Sequence, residues 1–455
     1  MSQNEEKNTL SQVDEIITPE WIIPVSRNGK RNLQALTKHS IAINKHKIVA
    51  ISPTSQLLEQ YSTTQHVQLP GQALIPGFVN SHTHAAMSLF KGLSDDLPLM
   101  MWLENHIWPA EKKWVDNSFC SDGVTLAVAE MLLSGTTCFN DMYFQPNMTA
   151  KVAQKLGMRA TIGMLVFDFP SVWGTGWEDY LKKGLNLRDD YKHSELLSFA
   201  FAPHAPYTVS DEALGKIATL SNELSIPVHM HIHETAHEIK ESLSKYGKRP
   251  LKRLQELELV NPNLIAVHMT QLQRNEIETV ANHGVSVVHC PQSNMKLASG
   301  ISPVQELLTA NINVALGTDG NASNNDLNMF SEMKTASLLS KVYTGSAQAS
   351  SAEDMLYAAT MGGAKALGID ETCGSIEIGK AADLTSINLN TIQAQPLYDP
   401  VSQIVYTAGR EQVTHVWVNG RLQVEDGKLT QLDEQKLISM ATSWRDKIQN
   451  SRANA

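Results

Sequence analysis

Between Leu74 and Asp319 the chain passes through eight short apolar runs: ALIPGFV ahead of His82, GTTCFND, MRATIGMLVFD, LSFAFAPH, IPVHMHIHE, NLIAVHM, VSVVHC and INVALGTD. Runs of this length, rich in β-branched and aromatic residues, predict strands buried on both faces. The segments between them carry helical punctuation. Ser210, followed by Asp211 and Glu212, opens a helix running to Leu224, and His283-Gly284 stops another over Gln271–Asn282. Strand and helix alternating eight times predict an α/β fold with a (β/α)8 barrel over residues 75–375.

The flanks read differently. Residues 13–74 and 376–430 show strand alternation (SIAINKHKIVAIS, THVWVNGRLQVEDGKL) with turn signals at Asn419-Gly420 and Asp426-Gly427. Neither is long enough for a good sandwich alone, so the two are expected to join in one small composite β-sandwich domain. Residues 431–455 are expected to hold a surface helix over Asp433–Asn450 and a tail, and residues 1–12 a disordered tail.

Composition narrows the function. The chain has 455 residues, 42% of them hydrophobic and 18% charged, enough to bury a large core and too long for a small binding module. A net charge of −10 with no run of Lys and Arg argues against a nucleic-acid partner. The longest stretch free of charged residues, Gln60–Phe90, is broken by Pro70, Gly71, Pro76 and Gly77, so it predicts no membrane span. The polar, acidic N-terminus is unlike a secretory leader, and the expected location is cytoplasmic. Cys120, Cys138, Cys290 and Cys373 lie far apart without CxxC pairing, which predicts reduced core thiols. A metal would therefore be held by histidines and carboxylates.

A barrel brings the C-terminal ends of its strands to one face. In this chain those ends carry His82 and His84, Asp141, Asp168, His204, His231 with Glu234, His268, His289 and Asp319. Surfacing polar residues would account for Asp141, Asp168 and His289, but not for a histidine or aspartate at nearly every end. In HTH the two imidazoles share one side of an extended chain, as neighbouring ligands must. In VHMHIHE the alternation places His229, His231 and His233 on one face; His229 sits lower and reads as a core residue, His231 as ligand and Glu234 as acid–base. With His268 and the Asp319 of GTDG these make N and O donors suited to zinc, with a position left open for water.

The motifs PGFVNSHTHAAMSLFKGLSDDLPLMMWLENHIWPAE (Pro76–Glu111), HIHET (His231–Thr235), VHM, HCPQSNMKLASG (His289–Gly300) and GTDGNASNNDLNMF (Gly317–Phe330) resemble the amidohydrolase superfamily. Within it they resemble the 5′-methylthioadenosine/S-adenosylhomocysteine deaminases, over nearly the whole chain. The resemblance implies a TIM-like metal-dependent hydrolase barrel holding one divalent ion per chain, zinc first and iron(II) or manganese(II) as alternatives. It implies His82, His84, His231 and Asp319 as ligands, Glu234, His268 and Asp319 as the catalytic set, and Glu111 and His204 as nucleoside contacts. Ser323 of the GTDGNAS motif, Glu234, Trp173 and Trp177 complete the expected substrate-binding set. The activity implied is hydrolysis of the C6 amine of an adenine nucleoside by a homo-oligomer.

One departure bears on the substrate. No Arg or Lys lies between Arg159 and Lys182, where relatives that handle adenosylhomocysteine carry arginines for its carboxylate. Phe167, Phe169, Trp173 and Trp177 stand there instead, which favours 5′-methylthioadenosine over S-adenosylhomocysteine, with adenosine as a further substrate. The alternative within the fold is a deaminase of guanine, 8-oxoguanine or triazine type. A two-metal site would need a bridging lysine, and His193–Ser210 contains none; a cytidine-type deaminase would need PCxxC after HxE, which is absent. A non-catalytic scaffold is disfavoured because no ligand position is lost.

Overall fold

At the centre of the computed structural model, which describes residues 10–26 and 33–453, lies a parallel sheet of eight strands in sequential order. They are β1 (Phe78–Thr83), β2 (Thr136–Asp141), β3 (Arg159–Val166), β4 (Leu197–Pro203), β5 (Val228–Ile232), β6 (Leu264–His268), β7 (Ser286–His289) and β8 (Val314–Leu316). Every residue of β3 is buried, as expected where a barrel interior fills one face and helices cover the other. The last strand meets the first: Asp319 N–H donates to the His82 carbonyl at 3.0 Å, and the Asn80 side chain bonds Thr318 at 2.8 and 3.0 Å. Gly317 permits this approach, because a Cβ there would lie 2.8 Å from His82 N.

The helices follow the sequence signals with small shifts. Asp211–Leu224 is capped by Ser210, which accepts from Ala213 N–H. The helix expected over Gln271–Asn282 starts at Arg274, because Gln273 takes the N-cap position and Glu276 returns to its N–H at 2.9 Å. The last helix, Glu434–Ala453, is more than a surface helix: Trp444 and Ile448 are buried, and the Trp444 indole donates to Asp122 at 2.8 Å.

Both ends of the chain enter one nine-stranded sheet, in which His66–Pro76 pairs with Glu15–Ile22 on one side and with Leu384–Asn388 on the other. Ile17, Ile41, Ile43, Leu74, Leu384 and Trp417 share its core. The apolar run ALIPGFV is divided between the two sheets. Leu74–Pro76 pairs with Leu384–Ser386 in the outer sheet, and the barrel begins at Phe78. Ser11–Gln12, within the expected tail, pairs in parallel with Tyr61–Ser62, while residues 1–9 and 454–455 lie outside the described residues. Among the described residues no helix is long and apolar enough to cross a membrane, and all four cysteines are buried and free.

Barrel and outer sheet are joined by an ion pair. Arg159 donates to Asp383 at 2.6 and 3.2 Å and to the Glu195 carbonyl at 2.7 Å, and both charged side chains are buried. Arg159→Ala would strand a carboxylate in the interior and is expected to cost about 3–5 kcal/mol. A lower urea midpoint in chemical denaturation checks this; an unchanged midpoint would contradict it.

Candidate active site

Four imidazoles and a carboxylate meet over the C-terminal mouth of the barrel. His82 and His84 come from the end of β1, His231 from β5, His268 from the last position of β6 and Asp319 from just beyond β8. His82 Nε2 stands 3.1 Å from His231 Nε2 and 3.3 Å from Asp319 Oδ1, and His84 Nε2 stands 3.2 Å from the same oxygen. The donor atoms fall into two groups that share His82: His82, His231 and His268; and His82, His84 and Asp319. His268 therefore stands in the donor cluster itself. The backbone is bent to achieve this, since His268 and Asp319 both adopt positive φ, 74° and 63°.

The far side of each ring is anchored. Nδ1 of His84 donates to the Met142 carbonyl, Nδ1 of His231 to the His204 carbonyl at 2.8 Å and Nδ1 of His268 to Asn294 Oδ1 at 2.8 Å. Carbonyl oxygens only accept, so these three rings carry a proton on Nδ1 and turn Nε2 inward, toward one another and toward Asp319. His82 Nδ1 shares a hydrogen bond of 2.9 Å with His229, and Asp319 Oδ2 accepts from Ser293 Oγ at 2.6 Å. This orienting layer is what metal-binding histidines typically require. Ring nitrogens and a carboxylate aimed at one point repel each other unless a proton or a metal ion lies between them. Ligands about 2.1 Å from one tetrahedral ion stand about 3.4 Å apart, close to the separations found here.

The titration behaviour points the same way. Burial disfavours the Asp319 charge, yet hydrogen bonds from His82 and His84 hold its carboxyl well below the ordinary range. Burial likewise opposes charge on His84, but Asp319 carries that ring up to about 9. The cluster calls for positive charge, and its N and O donors fit a divalent ion such as zinc.

Glu234 lies beside this centre, with Oε1 3.8 Å from His268 Nε2 and its carboxyl raised by burial. Glu111, on the helix Trp108–Trp114, is pushed up to about 7 by burial, which Tyr143 and His84 partly offset. His204 stays neutral, lowered to about 3 by burial and then by His84 and His82, and packs 4.9 Å from both His231 and Phe167. Phe167 in turn stacks on half-exposed Phe169 at 4.6 Å, so an aromatic file leads from the cluster outward.

The remaining expected residues are engaged with protein groups. Ser323 bonds Ser293 and the Gly320 carbonyl, behind Asp319. Trp173 and Trp177 pack against the core, and the Trp173 carbonyl is taken by Lys183 at 2.8 Å. His233 leaves the shared face: β5 ends at Ile232, a φ of 55° turns the chain, and the His233 ring accepts from Leu251 N–H at 3.1 Å. Asp141 accepts from Ala85 N–H, Thr83 and Thr149, which anchors the turn after HTH, and Asp168 bonds Ser210. Ser293 and Asn294, in the HCPQSN run, carry no expected role although they hold Asp319 and His268; His229 is the hydrogen-bonded core residue expected, and its partner is His82.

Comparison with known proteins agrees with this architecture. The model of the amidohydrolase family matches residues 73–423. A Saccharophagus degradans protein named 5-methylthioadenosine/S-adenosylhomocysteine deaminase is 48% identical over 442 residues, 97% of this chain and 98% of its own. A Methanothermobacter thermautotrophicus protein named 5′-deoxyadenosine deaminase is 39% identical over 89% of this chain and 94% of its own. The solved structure of an adenosine deaminase from Xanthomonas campestris with bound zinc superposes with a TM-score of 0.95 at 45% identity, over 97% of this chain and all of that one. With the barrel, the histidine cluster at its mouth and matches of this length all in agreement, the chain belongs to the amidohydrolase family.

Proposed function

We propose that the protein hydrolyses the C6 amine of a small adenine nucleoside, 5′-methylthioadenosine before all others, and releases ammonia. The observation that carries this reading is the convergence of the histidine Nε2 atoms and the Asp319 carboxylate beside a buried Glu234. His82, His84, His231 and Asp319 would hold one divalent ion, zinc in the first place. Such an ion lowers the pKa of a coordinated water to about 7 and so supplies a nucleophile at neutral pH.

The remaining chemistry belongs to the side chains. A water oxygen bonds to C6, the C6–N bond breaks, and the two protons of the water end on the ring and on ammonia. Asp319 and His268 accept the proton of the incoming water. Glu234, whose buried carboxyl holds a proton more readily than an exposed one, gives that proton to ring N1. It takes up the second water proton from the hydroxyl formed at C6 and passes it to the departing amine, and the proton held by Asp319 and His268 then restores it. Glu111 accepts from the ribose hydroxyls, and neutral His204 donates or accepts at the sugar edge.

The 5′ end meets the aromatic file of Phe167 and Phe169. Lys183, just beyond this segment, has its charge paired with Asp179 at 2.9 Å and a further N–H on the Trp173 carbonyl. An apolar methylthio group gains from burial at about 25 cal/mol per Å², whereas an amino-acid carboxylate does not. We expect kcat/KM for 5′-methylthioadenosine to exceed that for S-adenosylhomocysteine about tenfold or more, a difference of about 1.4 kcal/mol. Phe169→Ala should narrow the gap. Initial rates over methylthioadenosine, adenosylhomocysteine, 5′-deoxyadenosine, adenosine and guanine test the reading. Equal efficiency on the first two would contradict the specificity, and turnover of guanine alone would contradict the function.

A further inference from the structure

Glu234 sits where the chain has left β5 and not yet entered the helix Ala236–Tyr246. Its neighbour His233 has a φ of 55°, so the backbone turns sharply just before the residue whose carboxyl must meet the ring. Buried peptide N–H groups at such a turn have no ladder partner and need another acceptor.

That acceptor is Glu238. Its carboxylate is buried, with Oε1 accepting from His233 N–H at 3.0 Å and Oε2 from Glu234 N–H at 2.8 Å. In an ordinary capping box the glutamate three residues into a helix returns to the N–H of the capping residue. Thr235 caps this helix and accepts from Glu238 N–H, yet the Glu238 side chain reaches past it to the two residues before. The opposite side of the same turn is held as well. Thr270 Oγ1 donates to the Glu234 carbonyl at 2.7 Å, and Thr270 N–H to the His233 carbonyl at 3.0 Å. Thr270 follows His268 by two residues, so one set of bonds ties Glu234 to the strand end that bears His268.

We infer that Glu238 is a positioning residue for the reaction, fixing the Glu234 peptide so that its carboxyl stands beside His268 and the substrate ring. The inference rests on the proton-transfer role proposed for Glu234. A carboxylate is required because two N–H groups must be accepted at once. Glutamine keeps the length but offers one acceptor and turns an NH2 toward an N–H, and alanine offers none. A misplacement of about 1 Å in a reacting group can cost about a hundredfold.

The test combines kinetics with amide hydrogen exchange on the zinc-loaded full chain. In the unmodified protein the His233 and Glu234 amides should exchange as slowly as those of β5. In Glu238→Gln their exchange should quicken, zinc per chain should stay unchanged, KM for 5′-methylthioadenosine should remain within about threefold, and kcat should fall about tenfold to a hundredfold. Glu238→Ala should lie further along the same course. Unprotected amides in the unmodified protein would overturn the inference, whether or not the variants fold. Unchanged kcat in Glu238→Gln, or a loss matched by equal loss of zinc or of folded protein, would also overturn it. If the unmodified protein turns over no adenine nucleoside, the proposed function fails, and the exchange rates alone decide whether the clamp exists.

Discussion

Replacing Glu234 by glutamine is expected to lower kcat by a factor of about 10² to 10⁴ while leaving the metal in place. The amide preserves the shape and much of the hydrogen bonding of the carboxyl but cannot carry a proton to N1 or to the leaving amine. Retention of metal follows from the geometry, because Glu234 belongs to neither donor group and approaches His268 only to 3.8 Å. Steady-state kcat measured together with zinc per chain separates the two effects. Parallel loss of zinc would make Glu234 a ligand and reassign the roles around it.

The second large effect is expected at His82, the residue common to both donor groups. His82→Ala should remove the ion and lower kcat/KM by about 10³ or more, since a tetrahedral site that loses one protein ligand binds its metal far more weakly. The substitution also strips His229 of its partner at 2.9 Å and leaves Asp319 without one of the two rings that hold its charge. Elemental analysis after dialysis, followed by assay with added zinc, checks this. Full zinc occupancy in the variant would contradict it.

The barrel and the centre of its site were legible because one geometric rule converts sequence into position. If strands are parallel, their ends share a face, so His82, His231, His268 and Asp319 could be placed together although far apart in the chain. What that rule does not reach was misread. The run ALIPGFV changes sheets at Gly77, and an apolar run carries no mark of which neighbour each half will pair with. His233 was placed on the face of His231 because alternation assumes an extended backbone, and a positive φ at a non-glycine residue breaks it. Ser293, Asn294 and Glu238 touch the site only through hydrogen bonds to other residues, which leave no periodic signal. Of the four aromatic residues read from the Arg-free segment, Phe167 and Phe169 make the ring contacts that lead to His204, while Trp173 and Trp177 pack against the core.

The central claim is hydrolysis at C6, and oxygen-18 water tests it most directly. Zinc-loaded enzyme incubated with 5′-methylthioadenosine in labelled water should release one ammonia per nucleoside consumed. The product, 5′-methylthioinosine, should carry one labelled oxygen, placed on the purine ring. Free adenine, an unlabelled product or intact nucleoside would contradict the account.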